Sequence, residues 1–236
     1  MMLLLIIGHL IADFYLQSSK MAEDKRKKIT ILLVHSIIYS CIFAIIDFVF
    51  LQPITAVWTT IIIAGMHFVI DFTRTKIDRK CKSSKSLNAS FFIDQILHFA
   101  VILVTYYCLE LSEKGNFIYV YCKANSNFEH ILTYCLLFLA LLNPTSILIK
   151  NVLAFLFNEG PNKENGNNAG NVIGMLERTI TSVLLLNNQF AVIGLVLTAK
   201  SIARFKQLEN KDFAERYLIG TLLSLSISLV LTLVLK

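Results

Sequence analysis

HFVIDFTRTKIDRKCKSSKSLNASFFIDQILH, residues 67–98, joins two apolar segments through a basic loop. His67 and Asp71 close the first segment; Asp94 and His98 open the second. Each pair is spaced i,i+4, which puts both side chains on one helix face, about 5–6 Å apart at Cβ. The same spacing recurs at His9 and Asp13, and His35 stands in the segment between. Four of the five histidines and three acids thus fall in segments that read as membrane-spanning. Ionisable groups there are costly and mark function by default.

Composition widens this local reading to the whole chain. Of 236 residues, 56% are hydrophobic and 16% charged. Apolar runs approach the roughly 20 residues a helix needs to cross a bilayer. Polar alternation at strand period is absent, which argues against a β-barrel. The predicted fold is all-α, a polytopic transmembrane helical bundle of about eight helices, or seven if the first only dips into the membrane. The net charge of +6 reads as basic cytoplasmic loops. Without a basic soluble domain, nucleic acid is not an expected partner. Cys41, Cys81, Cys108, Cys122 and Cys135 show no C-x-x-C spacing and read as free thiols or small apolar residues. The N-terminus lacks the basic n-region and small-residue cleavage site of a signal peptide, so it reads as a retained first helix.

The expected spans are 1–17, 29–50, 54–72, 90–109, 129–149, 171–186, 190–205 and 216–235. Turns are expected at Gln52–Pro53 and Asn187–Asn188, a break near Pro144, and a loop over the Asn/Gly-rich residues 158–170. Residues 1–110 form a four-helix half carrying the His/Asp site, and 111–236 a second half of four helices. The basic loops around Lys20–Lys28 and Arg74–Lys85 belong in the cytoplasm, which puts both termini and residues 110–128 outside. His130, beside Glu129 at the outer end of its span, reads as interfacial and not as part of the site.

This topology puts His9, Asp13, His35, His67, Asp71, Asp94 and His98 at one depth, in the inner half of the membrane. Imidazole and carboxylate are ligands for zinc, iron or manganese. Three buried acids also call for positive charge, which a divalent ion supplies. All seven groups are expected as ligands, with Asp94 and Asp13 the catalytic candidates. The cofactor is a divalent transition metal, zinc the first choice. One catalytic zinc would leave spare groups for other roles, while two ions bridged by a carboxylate would use nearly all. The plainer reading is three His–Asp pairs that tie helices together. Gln17 and Gln95 adjoin the site by spacing and are expected to bind substrate, with helix contacts as the alternative. Arg178 and Arg204 suit a lipid phosphate; the alternative there is a pair from Glu177 to Lys200 or Arg204. Gly166, Gly170 and Gly174 recur every four residues, which permits close helix approach.

His9, Ala12, Asp13, Phe14, Leu16 and Gln17 form an H-x-x-A-D-F-x-L-Q opening. With His35, the H-x-x-x-D at 67–71 and the D-Q-x-x-H at 94–98, the chain resembles a bacterial integral-membrane family catalogued only as a domain of unknown function. Its longer members are similar to three further blocks: Gly170, Ile173, Gly174, Leu176, Glu177 and Arg178; Ala199, Lys200, Ser201, Ile202, Arg204 and Phe205; and Leu218 to Ser224. The resemblance implies no activity. In its site, though not its fold, the chain is also similar to membrane metal-dependent hydrolases built from transmembrane His and Asp, such as ceramidase-like enzymes.

The expected function is a multi-pass metal-dependent hydrolase of the bacterial inner membrane, acting on a lipid or lipid-linked substrate at the cytoplasmic leaflet. Membrane lipids are its expected partners. The rival class is a proton or metal-ion transporter using the same groups as a relay. The inward displacement of the site and the lack of an internal repeat favour the enzyme. A third class is a scaffold whose polar groups only hold helices together.

Overall fold

The structure, a computed structural model, describes residues 1–80, 83–158 and 168–236. It comprises two compact units, Met1–Leu136 and Leu137–Lys236, so the division expected after residue 110 falls inside the first. The chain is all-α: among the described residues 6 helices are long and apolar enough to cross a membrane, and two shorter apolar helices accompany them. By length and composition this is a membrane protein.

In the first unit, α1 (Met2–Leu10) runs straight into a π-helical turn (Ile11–Tyr15). The short α2 (Ser19–Asp24) follows, capped by Ser18 Oγ, which accepts from the Met21 N–H. The long helices α3 (Ile29–Phe50), α4 (Pro53–Lys80) and α5 (Ser84–Cys108) carry most of the unit. Proline opens α4, where a missing N–H costs nothing. Then come α6 (Phe117–Ala124), capped by Asn116, and the start of α7 (Asn127–Leu141).

The order of helix ends matches an up-and-down path. At one end Leu51 and Gly115 form an antiparallel bridge, and the Gln52 N–H donates to the Lys114 carbonyl at 3.0 Å. At the other, Arg79 Nε donates to the Arg26 carbonyl at 2.5 Å. The two basic loops therefore share one end of the unit. Leu5, Tyr39, Phe43, Ile63 and Ile102 form the apolar core. Ile37, Ile61, Ile96 and Val104 face outward and are more than half exposed. Such faces suit lipid as the solvent, because a helix bonds its backbone polar groups internally.

The second unit contains the end of α7, α8 (Asn143–Leu156), α9 (Asn168–Leu186), α10 (Phe190–Ala203), a 3-10 turn (Phe205–Glu209) and α11 (Lys211–Leu235). The break expected near Pro144 lies between α7 and α8. Pro144 has no N–H for the Ala140 carbonyl. The Thr145 hydroxyl takes its place, donating to that carbonyl at 2.7 Å. The expected Asn187–Asn188 turn separates α9 from α10, with Asn188 at φ 57. Asparagine tolerates that left-handed conformation better than most residues.

Several expected boundaries move. α4 continues about two turns past residue 72, and α5 starts at Ser84, not 90. Residues expected as plain loop contain α2 and α6. Polar residues caused these errors: Asp78 and Asn88 look like loop but lie buried on helix faces, and Arg74 is half-buried on one. Cys81, Gly166 and most of the expected 158–170 loop lie outside the described residues. Cys41, Cys108, Cys122 and Cys135 are free thiols.

Candidate metal centre

Four helical segments of the first unit deliver the polar cluster. α3 carries His35, and one turn later Tyr39, on its buried face. α4 carries His67 and Asp71, and α5 carries Asp94, Gln95 and His98. α1 brings His9, and the π-turn brings Asp13. The turn is closed by the Leu16 N–H donating to the Ile11 carbonyl at 3.0 Å, five residues back. π-Turns are rare and recur at functional sites. Here the wider turn directs Asp13 at histidines from three other helices.

The tightest contacts run between two histidines and two carboxylates. His35 Nε2 and His67 Nε2 are 3.1 Å apart. Asp13 Oδ1 lies 3.3 Å from the first and 3.7 Å from the second. Asp71 Oδ2 lies 3.5 and 3.6 Å from the same two atoms. Four ligands about 2.0–2.1 Å from a zinc ion are about 3.3–3.4 Å from one another. Each carboxylate oxygen with the two histidine nitrogens forms a three-ligand face whose edges bracket that value. All four residues are buried. The Nδ1 atoms of His35 and His67 and Asp71 Oδ1 have no hydrogen-bond partner. Nδ1 is where the outer partner of a ligand histidine ordinarily sits.

Around this core, three overlapping groups of buried side chains could hold a metal ion: Asp13, His35 and His67; His67, Asp71 and His98; and His9, Asp13 and His98. His98 Nδ1 is 4.0 Å from Asp13 Oδ2 and 3.8 Å from Asp94 Oδ2. Neither His98 nitrogen has a hydrogen-bond partner. His9 is more committed, with Nδ1 3.2 Å from the Tyr39 hydroxyl and Nε2 3.3 Å from Gln95 Oε1. The Tyr39 ring lies flat on His67, 3.5 Å between centroids.

Asp94 stands slightly apart. Arg74 donates to its Oδ2 at 2.6 Å and Gln95 Nε2 to the same oxygen at 3.3 Å, while Oδ1 is unpartnered. Gln17 Oε1 accepts from Lys25 Nζ at 2.9 Å. His130 is exposed on α7.

Two expected site residues lie in the other unit. Arg178 donates from Nε to the Leu141 carbonyl at 2.5 Å and from Nη2 to the Leu142 carbonyl at 3.1 Å, and it also reaches Ser146 Oγ. It thus serves the carbonyls released at the α7–α8 break. Arg204 lies over the Tyr217 ring, and Glu177 accepts from Lys200 at 2.5 Å.

Three neighbours of the cluster are absent from the sequence reading. Tyr39 and Arg74 carry a readable signal, since each follows a site residue at helical spacing: Tyr39 four after His35, Arg74 three after Asp71. Lys25 carries none. It sits in a basic run, yet it is buried, and its Nζ lies 2.8 Å from Asp71 Oδ2. This changes the charge argument. Asp71 has Lys25 and Asp94 has Arg74, so two of the three acids are compensated by the protein itself. Asp13 faces only histidines and the Gln95 amide.

Residues 1–125 match the family described as "Protein of unknown function (DUF3307)". The chain belongs to that family. The matched region covers every residue of the polar cluster in the first unit. No curated protein and no solved structure matches the chain.

Proposed function

We propose that this DUF3307 member is a metal-dependent hydrolase of the bacterial inner membrane, acting on a lipid or lipid-linked substrate at the cytoplasmic leaflet. The observation that carries the reading is the buried pair His35 Nε2 and His67 Nε2, 3.1 Å apart, with one oxygen of Asp13 and one of Asp71 each 3.3–3.7 Å from both nitrogens. That spacing and the nitrogen–oxygen donor set suit zinc. A divalent ion held there would polarise water and the scissile carbonyl or phosphoryl oxygen. Asp94 would accept the water's proton: Arg74 and Gln95 hold one carboxylate oxygen and leave the other free. General bases need that combination of fixed geometry and an open lone pair. Gln17 and Gln95 supply amides for a polar head group. The basic residues around Lys25–Lys28 and Arg74–Lys80 set this end of the unit toward the cytoplasm and its anionic leaflet.

One observation favours a proton or metal-ion transporter. Asp47 is buried in α3, on the same face as His35 and Tyr39, with Thr60 donating to its Oδ2 at 2.9 Å and Oδ1 unpartnered. An intramembrane acid in line with the cluster is what a relay needs. Phe43 lies between, buried and stacked on Tyr39.

Two measurements separate these readings. Purified protein should carry about one or two transition-metal ions per chain, and His67→Ala should carry fewer. Cells overproducing the wild type should show an altered lipid profile, and Asp94→Asn should keep the metal but lose that effect. A metal-free protein that still changes lipids would sink the metal mechanism. Unchanged lipids, together with Asp94-dependent movement of protons or metal ions across liposomes, would put the transporter in its place.

A further inference from the structure

We infer that the centre holds two ions bridged by Asp13, the second of them on Asp13 Oδ2, His98 and His9. The inference rests on the metal reading above. The two oxygens of Asp13 face different partners. Oδ1 is 3.3 and 3.7 Å from His35 and His67, while Oδ2 is 4.0 Å from His98 Nδ1. A carboxylate placed this way, one oxygen toward each set of histidines, is the bridging arrangement of two-metal sites. The π-turn that carries Asp13 produces the split.

His98 is the independent observation. It is 2% exposed, and neither ring nitrogen has a hydrogen-bond partner. A buried imidazole with nothing to bond is costly unless a ligand completes it. The nearest groups to it are other ligand types: Asp13, Asp94, and the rings of His67 at 4.4 Å and His9 at 5.5 Å. The ligand atoms of His9, Asp13 and His98 lie within 4.8 Å of one another. The 4.0 Å between His98 Nδ1 and Asp13 Oδ2 is wider than the tetrahedral edge of about 3.3 Å and suits a larger ion of higher coordination number, such as manganese.

Gln95 explains why the second ion is the weaker. Its amide links the same groups, accepting at Oε1 from His9 and donating from Nε2 to Asp13 Oδ2 at 3.4 Å. The second ion replaces this neutral link, so its affinity is set against Gln95; at the first position Lys25 holds Asp71 Oδ2, while Asp13 Oδ1 has no hydrogen-bond partner.

The test uses the purified full chain in detergent, loaded with manganese and studied by metal counting and electron paramagnetic resonance. The wild type should bind about two ions per chain, with the exchange-coupled spectrum of bridged manganese. His98→Gln should retain about one ion, with an uncoupled spectrum. Gln95→Ala should tighten the weaker ion by about tenfold and leave the tighter one unchanged, a scale typical of groups that act on a ligand from outside. One ion in the wild type, two uncoupled ions, or two ions retained by His98→Gln would overturn the bridged pair and leave the hydrolase reading standing. If His98→Gln fails to fold, an unchanged second affinity in Gln95→Ala overturns it instead. No ion at all in the wild type would remove the metal reading itself.

Discussion

The two units treat buried polar groups in opposite ways. In the second, Arg178 satisfies carbonyls at a helix break, Ser182 and Thr232 share a 2.6 Å hydrogen bond, and Lys200 pairs with Glu177. In the first, Asp13, Asp71, Asp94 and His98 keep bonding capacity that nothing in the protein uses. Among the described residues, every buried side-chain nitrogen or oxygen without a hydrogen-bond partner lies in the first unit. Polar groups that only join helices have no reason to leave lone pairs over, because each unsatisfied group costs about 1–3 kcal/mol. In the first unit such atoms fall on His35, His67, His98, Asp13, Asp71 and Asp94 of the cluster and also on Asp47, Thr59, Arg74 and Asp78, so metal content is what tests whether the leftover capacity holds a ligand.

The largest expected effect is on metal. Replacing His35 and His67 together by alanine should remove the tightly bound ion, measured by elemental analysis of purified protein. The pair Ser182→Ala and Thr232→Ala, which alters as many buried polar groups in the other unit, should leave metal content at the wild-type level. Loss of metal in both would erase the distinction.

Lys25→Met comes next. It strands the Asp71 carboxylate, and breaking a buried ion pair costs about 3–5 kcal/mol. Metal-free variant should unfold correspondingly earlier in denaturant. Saturating zinc should recover much of the loss, because an ion that binds only the folded state stabilises it by mass action. A variant as stable as the wild type without metal would mean that Asp71 does not depend on Lys25.

Arg178→Met removes the guanidinium donor of the Leu141 carbonyl at the α7–α8 break, while the Leu142 carbonyl keeps the Ser146 N–H and hydroxyl, and should destabilise by about 1–3 kcal/mol with metal content unchanged. A metal or activity defect per folded molecule would move Arg178 toward the substrate. Ser182→Ala alone removes one hydroxyl hydrogen bond, worth roughly 0.5–1.5 kcal/mol. The smallest effect belongs to Lys27→Ala. Lys27 donates to Glu23 at 2.6 Å on an exposed i,i+4 turn, and melting should not change measurably.

The helix count and the cluster differ in how far they could be read from sequence. Apolar runs, Pro53, Pro144 and Asn187–Asn188 mark the helices and their breaks, and the structure has a helix for each expected span. Helix ends were harder, because Asp78 and Asn88 are polar yet buried, and polarity alone reads as loop. The i,i+4 pairs pointed to the His/Asp residues, and the structure gathers these in one unit within a few ångströms. Arg178 and Arg204 looked equally suited to a ligand, but they belong to the other unit.

What the sequence by itself determined is whatever depends on neighbours along the chain: helix length from apolar runs, face-sharing from spacing, breaks from proline and asparagine. What only the tertiary structure decided is which charge meets which. Lys25 is indistinguishable in sequence from Lys27 and Lys28, yet it alone of these is buried on an acid of the cluster. Asp13 reads as the partner of His9 at helical spacing, but the π-turn presents its two oxygens to His35, His67 and His98. The physical reason is range. Backbone geometry sets contacts within a turn or two, whereas the pairing of buried charges depends on helices far apart in the chain, and in a low-dielectric interior those pairings carry the largest electrostatic energies.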